Sequence, residues 1–273
     1  MAWYGWGHGR ERDALPVAGL SMIESTFCFL QGVGLATERR WWSGGIPTWA
    51  KFLSQGAIQG ISRRRKVFYD QEVALAQEQY ERGNARFFAG CLAPRHQWRL
   101  YEWLRPKAVY LDIETDSFGR ITVVGLYAHG AMTSLIRGES LTWVRLREEL
   151  AQYDLFVTFC GASFDLPMLQ SQFPLLPLDR PHIDLYRLAR TVGLRGGLKA
   201  IEAALGISRR EDLHGMDGSD AMRRWNRWRH GRDATALEQL LAYNEADCVN
   251  LEPLADLLYT CLARHYKEAT LAT

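Results

Sequence analysis

The spacing of hydrophobic and polar positions changes near residue 106 and separates two predicted regions. Over 21–105, apolar residues recur mainly with helical spacing, which predicts a helical N-terminal region. Over 106–266, short β-rich runs alternate with helical stretches, which predicts an α/β unit built on a mixed sheet. Residues 1–20 follow neither spacing and are predicted to be irregular.

The predicted α/β unit begins with three strands, and helices and two further strands follow them along the chain. The predicted strands cover 109–116, 120–128, 132–136, 154–159 and 182–185. The predicted helices cover 143–153, 166–172, 186–192, 197–205 and 235–266. Pro253 lies within the last of these helices and predicts a bend or a restart there.

Two carboxylates follow an apolar run in the first predicted strand of the α/β unit. Val109, Leu111 and Ile113 alternate with Asp112 and Glu114, and this alternation places both acids on one face. Neighbouring carboxylates repel each other unless a cation lies between them, and hard oxygen ligands suit Mg²⁺ or Mn²⁺. An edge strand with solvated acids would show the same pattern, so the metal interpretation requires partner acids elsewhere.

Two further acids have positions that fit the same site. Asp165 follows a buried strand and a turn at Gly161, which places it near the carboxyl end of the sheet. An ordinary carboxylate stabilised at a helix N-terminus would look the same. Tyr243 and Asp247 are four residues apart in a predicted helix and share a face. A packed tyrosine beside an exposed aspartate is the alternative.

Composition excludes several classes of protein. The 273 residues are 47% hydrophobic, enough for a sizeable core, and no apolar run approaches the length of a membrane span. The five cysteines form no C-x-x-C pair, which argues against a disulfide frame or a zinc site. The first 12 residues lack the apolar run of a signal peptide, so we expect a cytoplasmic protein.

Local basic clusters mark candidate contacts with nucleic acid, because the formal net charge is only +2. The run 63–66 reads as a solvated loop or helix start, with phosphate contact as the alternative. Arginines around Trp225 and Trp228 combine positive charge with stacking surface, although tryptophans that pack a helix onto the core would look the same. The candidate nucleic-acid-binding residues are Arg223 and Arg227 beside these tryptophans, together with Arg195 and Lys199 in a second basic strip near the predicted cleft.

The segment 27–53 contains a G-V-G bend, a short amphipathic helix and a second Gly-Ile turn. This arrangement resembles a helix-hairpin-helix unit. In that motif, glycines let backbone N–H groups approach a phosphate, so the resemblance implies that Gly32 and Gly34 contact nucleic acid. A small packing module that uses the glycines only for a tight turn is the alternative.

Three motifs along the α/β unit resemble those of a known family. D-I-E-T at 112–115, G-x-x-F-D-L-P at 161–167 and Y-x-x-x-D at 243–247 are similar to the three exonuclease motifs of the DnaQ-like superfamily, tyrosine-type (DEDDy) branch. G-G-L-K-A-I-E at 196–202 further resembles the YprB-type ribonuclease H-like domain. The resemblance covers 106–262, and its strand and helix order is that of the ribonuclease H-like fold.

The resemblance implies a metal-dependent nuclease. Asp112, Glu114, Asp165 and Asp247 would bind two Mg²⁺ or Mn²⁺ ions per active site, and Tyr243 would orient the attacking water. The implied reaction is 3′→5′ exonuclease hydrolysis of single-stranded ends, and the hairpin-like segment favours DNA over RNA. A structure-specific endonuclease or an RNA-trimming ribonuclease on the same site stays open, as does a nucleic-acid-binding protein without catalysis. Protein partners are not predictable from the sequence.

Three positions bear on how closely the chain follows the family. Ala242 occupies the place where the histidine-type branch has its histidine, which disfavours that branch. Cys160 stands where the family commonly has asparagine, but this departure removes no metal ligand. Asp116 is an additional acid without a family role, and we interpret it as a turn residue.

Overall fold

The N-terminal region is helical, as its spacing predicts. The computed structural model describes residues 21–210, 213 and 215–271, and the predicted irregular stretch 1–20 lies outside them. Its α-helices are α1 (Leu35–Ser43), α2 (Trp49–Leu53), α3 (Arg63–Glu81), α4 (Ala85–Cys91) and α5 (Tyr101–Leu104), with 3₁₀ turns at Pro94–Leu100 and Arg105–Lys107. None of the helices in the described ranges is long and apolar enough to cross a membrane.

A mixed five-stranded sheet follows, and its spatial order is β3-β2-β1-β4-β5. The strands are β1 (Ala108–Thr115), β2 (Ile121–Ala128), β3 (Ala131–Ile136), β4 (Leu155–Thr158) and β5 (His182–Asp184). Strands β1 to β3 form an antiparallel meander, whereas β4 and β5 run parallel to β1. Because the sheet combines antiparallel and parallel strand pairs, the predicted mixed sheet of an α/β architecture is confirmed.

Helices cover both faces of the sheet. They are α6 (Trp143–Ala151), α7 (Asp165–Gln172), α8 (Leu185–Thr191), α9 (Leu198–Leu205), α10 (Gly218–Gly231), α11 (Ala234–Val249) and α12 (Leu251–Leu271). On one face, Val109, Leu111 and Ile113 pack into a cluster with leucines of α6 and α7. The opposite face, which includes Asp112 and Glu114, is the one that α11 crosses.

The predicted C-terminal helical stretch is two helices. Helix α11 ends at Val249 and α12 begins at Leu251, so Pro253 lies in the first turn of α12. Proline is tolerated there because the first N–H groups of a helix have no intrahelical acceptor. The predicted restart at this proline is therefore confirmed.

Helix α10 has no counterpart among the predicted spans. Its buried side chains include only Ala221 and Trp225, four residues apart, and arginines fill much of the rest. A capping box formed by Asp217 and Asp220 fixes its start. Its apolar stripe is too narrow for hydrophobic periodicity alone to define it.

One hydrophobic cluster joins the N-terminal region to the sheet. It extends from Met22 to Tyr266 and includes side chains of β1, β4 and α12. Within the region, the Arg99 guanidinium contacts the Glu38 carboxylate at 2.7 Å, and both side chains are fully buried. Glu38 also accepts hydrogen bonds from the Phe27 backbone at 2.7 Å and the Thr26 hydroxyl at 3.0 Å. The predicted boundary after residue 105 stays a prediction.

Gly125 makes room for the close packing of α11 on the sheet. It lies opposite Asp112 in the β1–β2 ladder. A Cβ atom at this position would come within 2.1 Å of Asn244 Oδ1 and 2.7 Å of Cys248 Sγ, both on α11. Any larger residue must therefore push the helix or the Asn244 side chain away from β2.

We expect Gly125→Ala to lower the free energy of unfolding by about 1–3 kcal/mol, the usual cost of overpacking a core. Urea denaturation measures this change. Gly90→Ala is the matched control, because a Cβ there meets nothing within 4 Å and the position lies in α4. Alanine at Gly90 should leave stability unchanged or raise it, since alanine favours helix. Equal stability of both variants would contradict the packing argument.

Candidate active site

Three carboxylates converge on one face of the sheet. Asp112 and Glu114 lie on β1 two positions apart and share a face because strand side chains alternate. Asp247 reaches them from α11, the helix that packs on β1 and β2. One oxygen from each of the three carboxylates lies within 4.8 Å of the others. The predicted association of these acids is therefore present in the fold.

Asp165 lies beside this group but is held differently. It is the first residue of α7 and is buried. Within the described residues, β4 pairs with β1 only over Ala108–Tyr110, so Ile113 lies beyond that pairing. Asp165 Oδ1 accepts a hydrogen bond from the Ile113 N–H at 3.1 Å. The group of oxygens within 4.8 Å does not include Asp165, which contacts β1 through the Ile113 N–H instead.

The four carboxyl groups all have raised pKa values. Burial, followed by the charges of Asp247 and Asp165, raises the pKa of Glu114 to about 8. Burial is also the main cause for Asp165, whose pKa rises to about 7 although N–H donors oppose the change. The pKa of Asp112 lies well above its ordinary value because of burial and the charges of the other three acids. Such a cluster favours neutralisation by protons or by a cation.

Tyr243 lies on the same helix as Asp247, one turn earlier. Burial and then the charges of Asp247, Glu114 and Asp112 raise the pKa of its phenol. The Lys199 ammonium lies 3.4 Å from the phenol oxygen, to which it donates, and 4.8 Å from the ring centroid. Tyr243 therefore keeps its proton at neutral pH and can act as a hydrogen-bond donor.

Asn244 is a site residue that the sequence analysis did not identify. It is fully buried on α11, and its Nδ2 donates to Asp112 Oδ2 at 2.8 Å and to the Asp112 carbonyl oxygen at 3.4 Å. This contact fixes the orientation of the Asp112 carboxylate, while Asn244 Oδ1 lies against Gly125. Its place between Tyr243 and Asp247 in the same helix is the only sequence signal that could have indicated it.

Arg209 is a second residue that the sequence analysis missed. It forms a bidentate pair with Glu202, with distances of 2.8 and 2.7 Å, and its Nη2 also donates to Asp247 Oδ1 at 2.5 Å. Asn250 donates to the same Glu202 carboxylate at 3.1 Å. Burial raises the pKa of Asp247, and the Arg209 charge is the first effect that opposes this rise. Arg209 is thus a positioning residue that orients Asp247.

We expect Arg209→Lys to weaken Mn²⁺ binding about 10- to 100-fold, the usual effect of losing a group that orients a ligand. A lysine keeps the charge but cannot pair with Glu202 in a bidentate way while also reaching Asp247. Calorimetric titration of the metal-free protein measures the change. Arg180→Lys is the control, since Arg180 is also largely buried and pairs with Asp154 and Asp179. Tighter Mn²⁺ binding would instead indicate that Arg209 competes with the cation.

Asp184 holds the turn at Cys160, the position where the DnaQ-like resemblance leads us to expect asparagine. Cys160 has a φ of 66°, a left-handed conformation that asparagine adopts more readily than most residues. Its N–H and that of Ala162 donate to the Asp184 carboxylate at 3.1 and 3.2 Å. Burial raises the pKa of the Cys160 thiol to about 11, so it stays protonated. The turn keeps its shape through Asp184 rather than through the side chain at 160.

The candidate nucleic-acid contacts lie in four separate places. Gly32 has a φ of 79° in the loop before α1, and Gly34 is the N-cap of that helix. Arg195 donates to the carbonyl oxygens of residues 190 and 194. On α10, Arg223 pairs with an acid at 2.5 Å and Arg227 does the same with another. Of the six candidates, only Lys199 lies at the acid cluster, and binding of nucleic acid stays a prediction for all of them.

The five-stranded sheet and the buried acids together define a ribonuclease H-like domain. The model of the RNase H superfamily matches residues 109–259, which is more than half of the chain. The chain therefore belongs to the RNase H superfamily. This membership supports nuclease activity on nucleic acid, and the three clustered carboxylates support metal binding.

Among solved structures, the chain is similar to the family B DNA polymerase from the hyperthermophilic archaeon Pyrobaculum calidifontis, with 16% sequence identity and a TM-score of 0.44. The similarity covers 55% of this chain and 24% of the polymerase chain. The comparison with curated proteins gives no match.

Proposed function

We propose that the protein is a DnaQ-like 3′→5′ exonuclease of the tyrosine-type branch, closest to the YprB-type domain. Its substrate is the 3′ end of a single strand, with DNA preferred over RNA. The observation that carries this proposal is the approach of three carboxylate oxygens, from Asp112, Glu114 and Asp247, to within 4.8 Å of one another. Tyr243 accompanies them one helical turn before Asp247.

The donor set fits divalent cations. Three of the carboxylates share one small volume, and burial together with mutual repulsion disfavours their ionised forms. Hard oxygen ligands of this kind suit Mg²⁺ or Mn²⁺, and two ions per site is our proposal. Asp112, Glu114 and Asp247 would hold them together with Asp165. When bound, the ions would stabilise charge on the phosphoryl oxygens and make water more acidic.

The chain's own residues position the reactants. Tyr243 keeps its proton, so its hydroxyl can donate to a water or to a phosphate oxygen but cannot serve as a base. Lys199 lies against the Tyr243 hydroxyl and adds positive charge where a phosphate would approach. Asn244 and Arg209 fix the carboxylates of Asp112 and Asp247. No side chain is required as a covalent nucleophile.

Incubation of 5′-labelled DNA and RNA strands with Mg²⁺ or Mn²⁺ tests the proposal. We expect a ladder that shortens from the 3′ end, and faster shortening of DNA than of RNA. A single internal product would indicate an endonuclease, and faster shortening of RNA would indicate an RNA-trimming enzyme. Intact strands that remain bound would indicate a binding protein without catalysis. Each of these three outcomes would overturn the corresponding part of the proposal.

A further inference from the structure

A basic cavity lies between α10 and the outer strands of the sheet. Its volume is about 320 Å³, within the usual range of about 300–1,000 Å³ for ligand pockets. Four arginines and two tryptophans line it, and we call it the arginine cleft: Arg120, Arg137, Arg229, Arg232, Trp225 and Trp228. Arg232 lies over the Trp228 ring at 5.0 Å from its centroid.

Positive charge exceeds negative charge in the arginine cleft. Besides the four arginines, the cleft has Glu139 in its lining and Asp116 at its edge. Asp116 is already occupied, because Arg120 Nε and two backbone N–H groups donate to it at 2.8 to 3.0 Å. Arg229 reaches the same carboxylate only at 4.0 Å. Two positive charges therefore remain uncompensated in a concave site.

Arg137 has neutral hydrogen-bond partners. Its guanidinium donates to the Ile121 carbonyl oxygen and, at 2.9 Å, to Gln172 Oε1, neither of which is an anion. Burial is the main cause that lowers the pKa of Arg137. The charge of Asp116 opposes this, and the charges of Arg120 and Arg229 are smaller effects that lower the pKa. An anion in the cleft would add a favourable charge beside Arg137.

The cleft begins where the acid cluster ends. Asp116 follows Glu114 by two residues, which is roughly 7 Å of extended chain. Trp225, which lines the cleft, and Tyr243, which lies at the acids, belong to the same buried cluster on this face of the sheet. A strand held by the acids can therefore continue along α10 into the cleft.

We propose that the arginine cleft binds the phosphodiester backbone of the single strand whose 3′ end lies at the acids. The proposal rests on the proposed exonuclease function and adds to it a second binding region, away from the reacting bond. Guanidinium groups match phosphate oxygens in geometry and charge, and the cleft offers several of them beside indole rings. Nucleic acid satisfies both features, because it carries regularly spaced phosphates and stacking bases.

The positions along α10 distinguish this cleft from a general basic surface. Trp225, Trp228 and Arg229 follow the i, i+3, i+4 spacing of one helical face. Arg232 is the left-handed residue that follows α10, and its guanidinium lies over the Trp228 ring. Arg223 and Arg227 lie on other faces and pair with Asp220 and Asp233.

Equilibrium binding of a fluorescent single-stranded DNA to the metal-free protein tests the proposal. We expect Arg229→Gln/Arg232→Gln to weaken binding about tenfold and to reduce the slope of log K against log salt by about 0.7 for each phosphate that the variant no longer binds. Arg145→Gln/Arg147→Gln is the matched control, with two arginines removed from α6. It should change binding less than about twofold, because α6 packs on the face of the sheet opposite the acids. Equal weakening in both variants, or unchanged binding in the first, would overturn the proposal.

A single-nucleotide substrate distinguishes failure of the cleft proposal from failure of the proposed exonuclease function. A chromogenic ester of a single nucleotide occupies the acids but cannot reach the cleft. The Arg229→Gln/Arg232→Gln protein should hydrolyse this ester at the wild-type rate and should unfold at the wild-type temperature. If the wild-type protein hydrolyses neither the ester nor a strand, the exonuclease function fails. If it hydrolyses both and the variant binds strands normally, only the cleft proposal fails.

Discussion

Replacing Asp112 with asparagine is expected to reduce hydrolysis of a labelled strand by about 10³-fold or more, because metal-ion catalysis supplies several kcal/mol of stabilisation. Asp112 is the acid that the charges of the other three surround. The substitution keeps its size and its hydrogen bond from Asn244, so the result isolates the loss of charge. Wild-type activity in this variant would contradict the proposed function.

The folded state should tolerate this substitution well. Burial and the neighbouring acids disfavour an ionised Asp112, so a neutral amide of similar size suits this position in the metal-free protein. We expect an unfolding temperature equal to or above that of the wild-type protein, measured in a chelator. Asp154→Asn serves as the control for activity, since Asp154 pairs with Lys107 at 3.0 Å at the start of β4, away from the acids. That variant should hydrolyse at the wild-type rate.

Stability of the metal-free protein should fall as the pH rises from 6.5 to 8. The folded pKa values of Glu114, about 8, and Asp165, about 7, exceed those of unfolded carboxyl groups, as does that of Asp112. The native state therefore holds more protons than the unfolded state in this window, and each such proton lowers the unfolding free energy by about 1.4 kcal/mol per pH unit. Below pH 6.5, His96 and His182 have the opposite effect, because burial lowers their pKa values to about 4.

Divalent cations should reverse this trend. A cation that binds only the folded state stabilises it by mass action, by about 2.7 kcal/mol at 100 times its dissociation constant. Urea denaturation at pH 6.5, 7, 7.5 and 8, with chelator or with Mn²⁺, measures both effects. The Asp112→Asn variant should show a shallower pH dependence in chelator, since one raised carboxyl group is gone. Stability that rises with pH in chelator would contradict the electrostatic description of the site.

Strand alternation and helical spacing predict the sheet and the positions of the acids, because these are local features. Asn244 and Arg209 were not predicted, since their roles depend on contacts with Asp112 and Asp247 across long stretches of chain. In both cases the contact arises from how α11 crosses the sheet, which no local pattern encodes. Gly125 is the same kind of case, because only the approach of Asn244 requires glycine there.

For the basic residues, the sequence does not show which arginines are paired with acids. Composition identifies α10 as rich in arginine, but it does not say which arginines are paired. Arg223 pairs with Asp220 in the first turn of α10, and Arg227 pairs with Asp233, the N-cap of α11. The helical spacing of Trp225, Trp228 and Arg229 is visible in the sequence. It indicates a shared binding face only once α10 is known to pack on the sheet. Binding of nucleic acid by these residues stays a prediction.

The shared hydrophobic cluster has a consequence for how this protein can be divided. Leu155 and Ile183 of the sheet lie in the same cluster as Trp49 and Phe88 of the N-terminal region. A polypeptide that starts at residue 106 would leave that side of the sheet uncovered, and exposed apolar surface of this kind promotes aggregation. We therefore expect a fragment that starts at residue 106 not to fold on its own. Fusion proteins should include the residues from 21 onward.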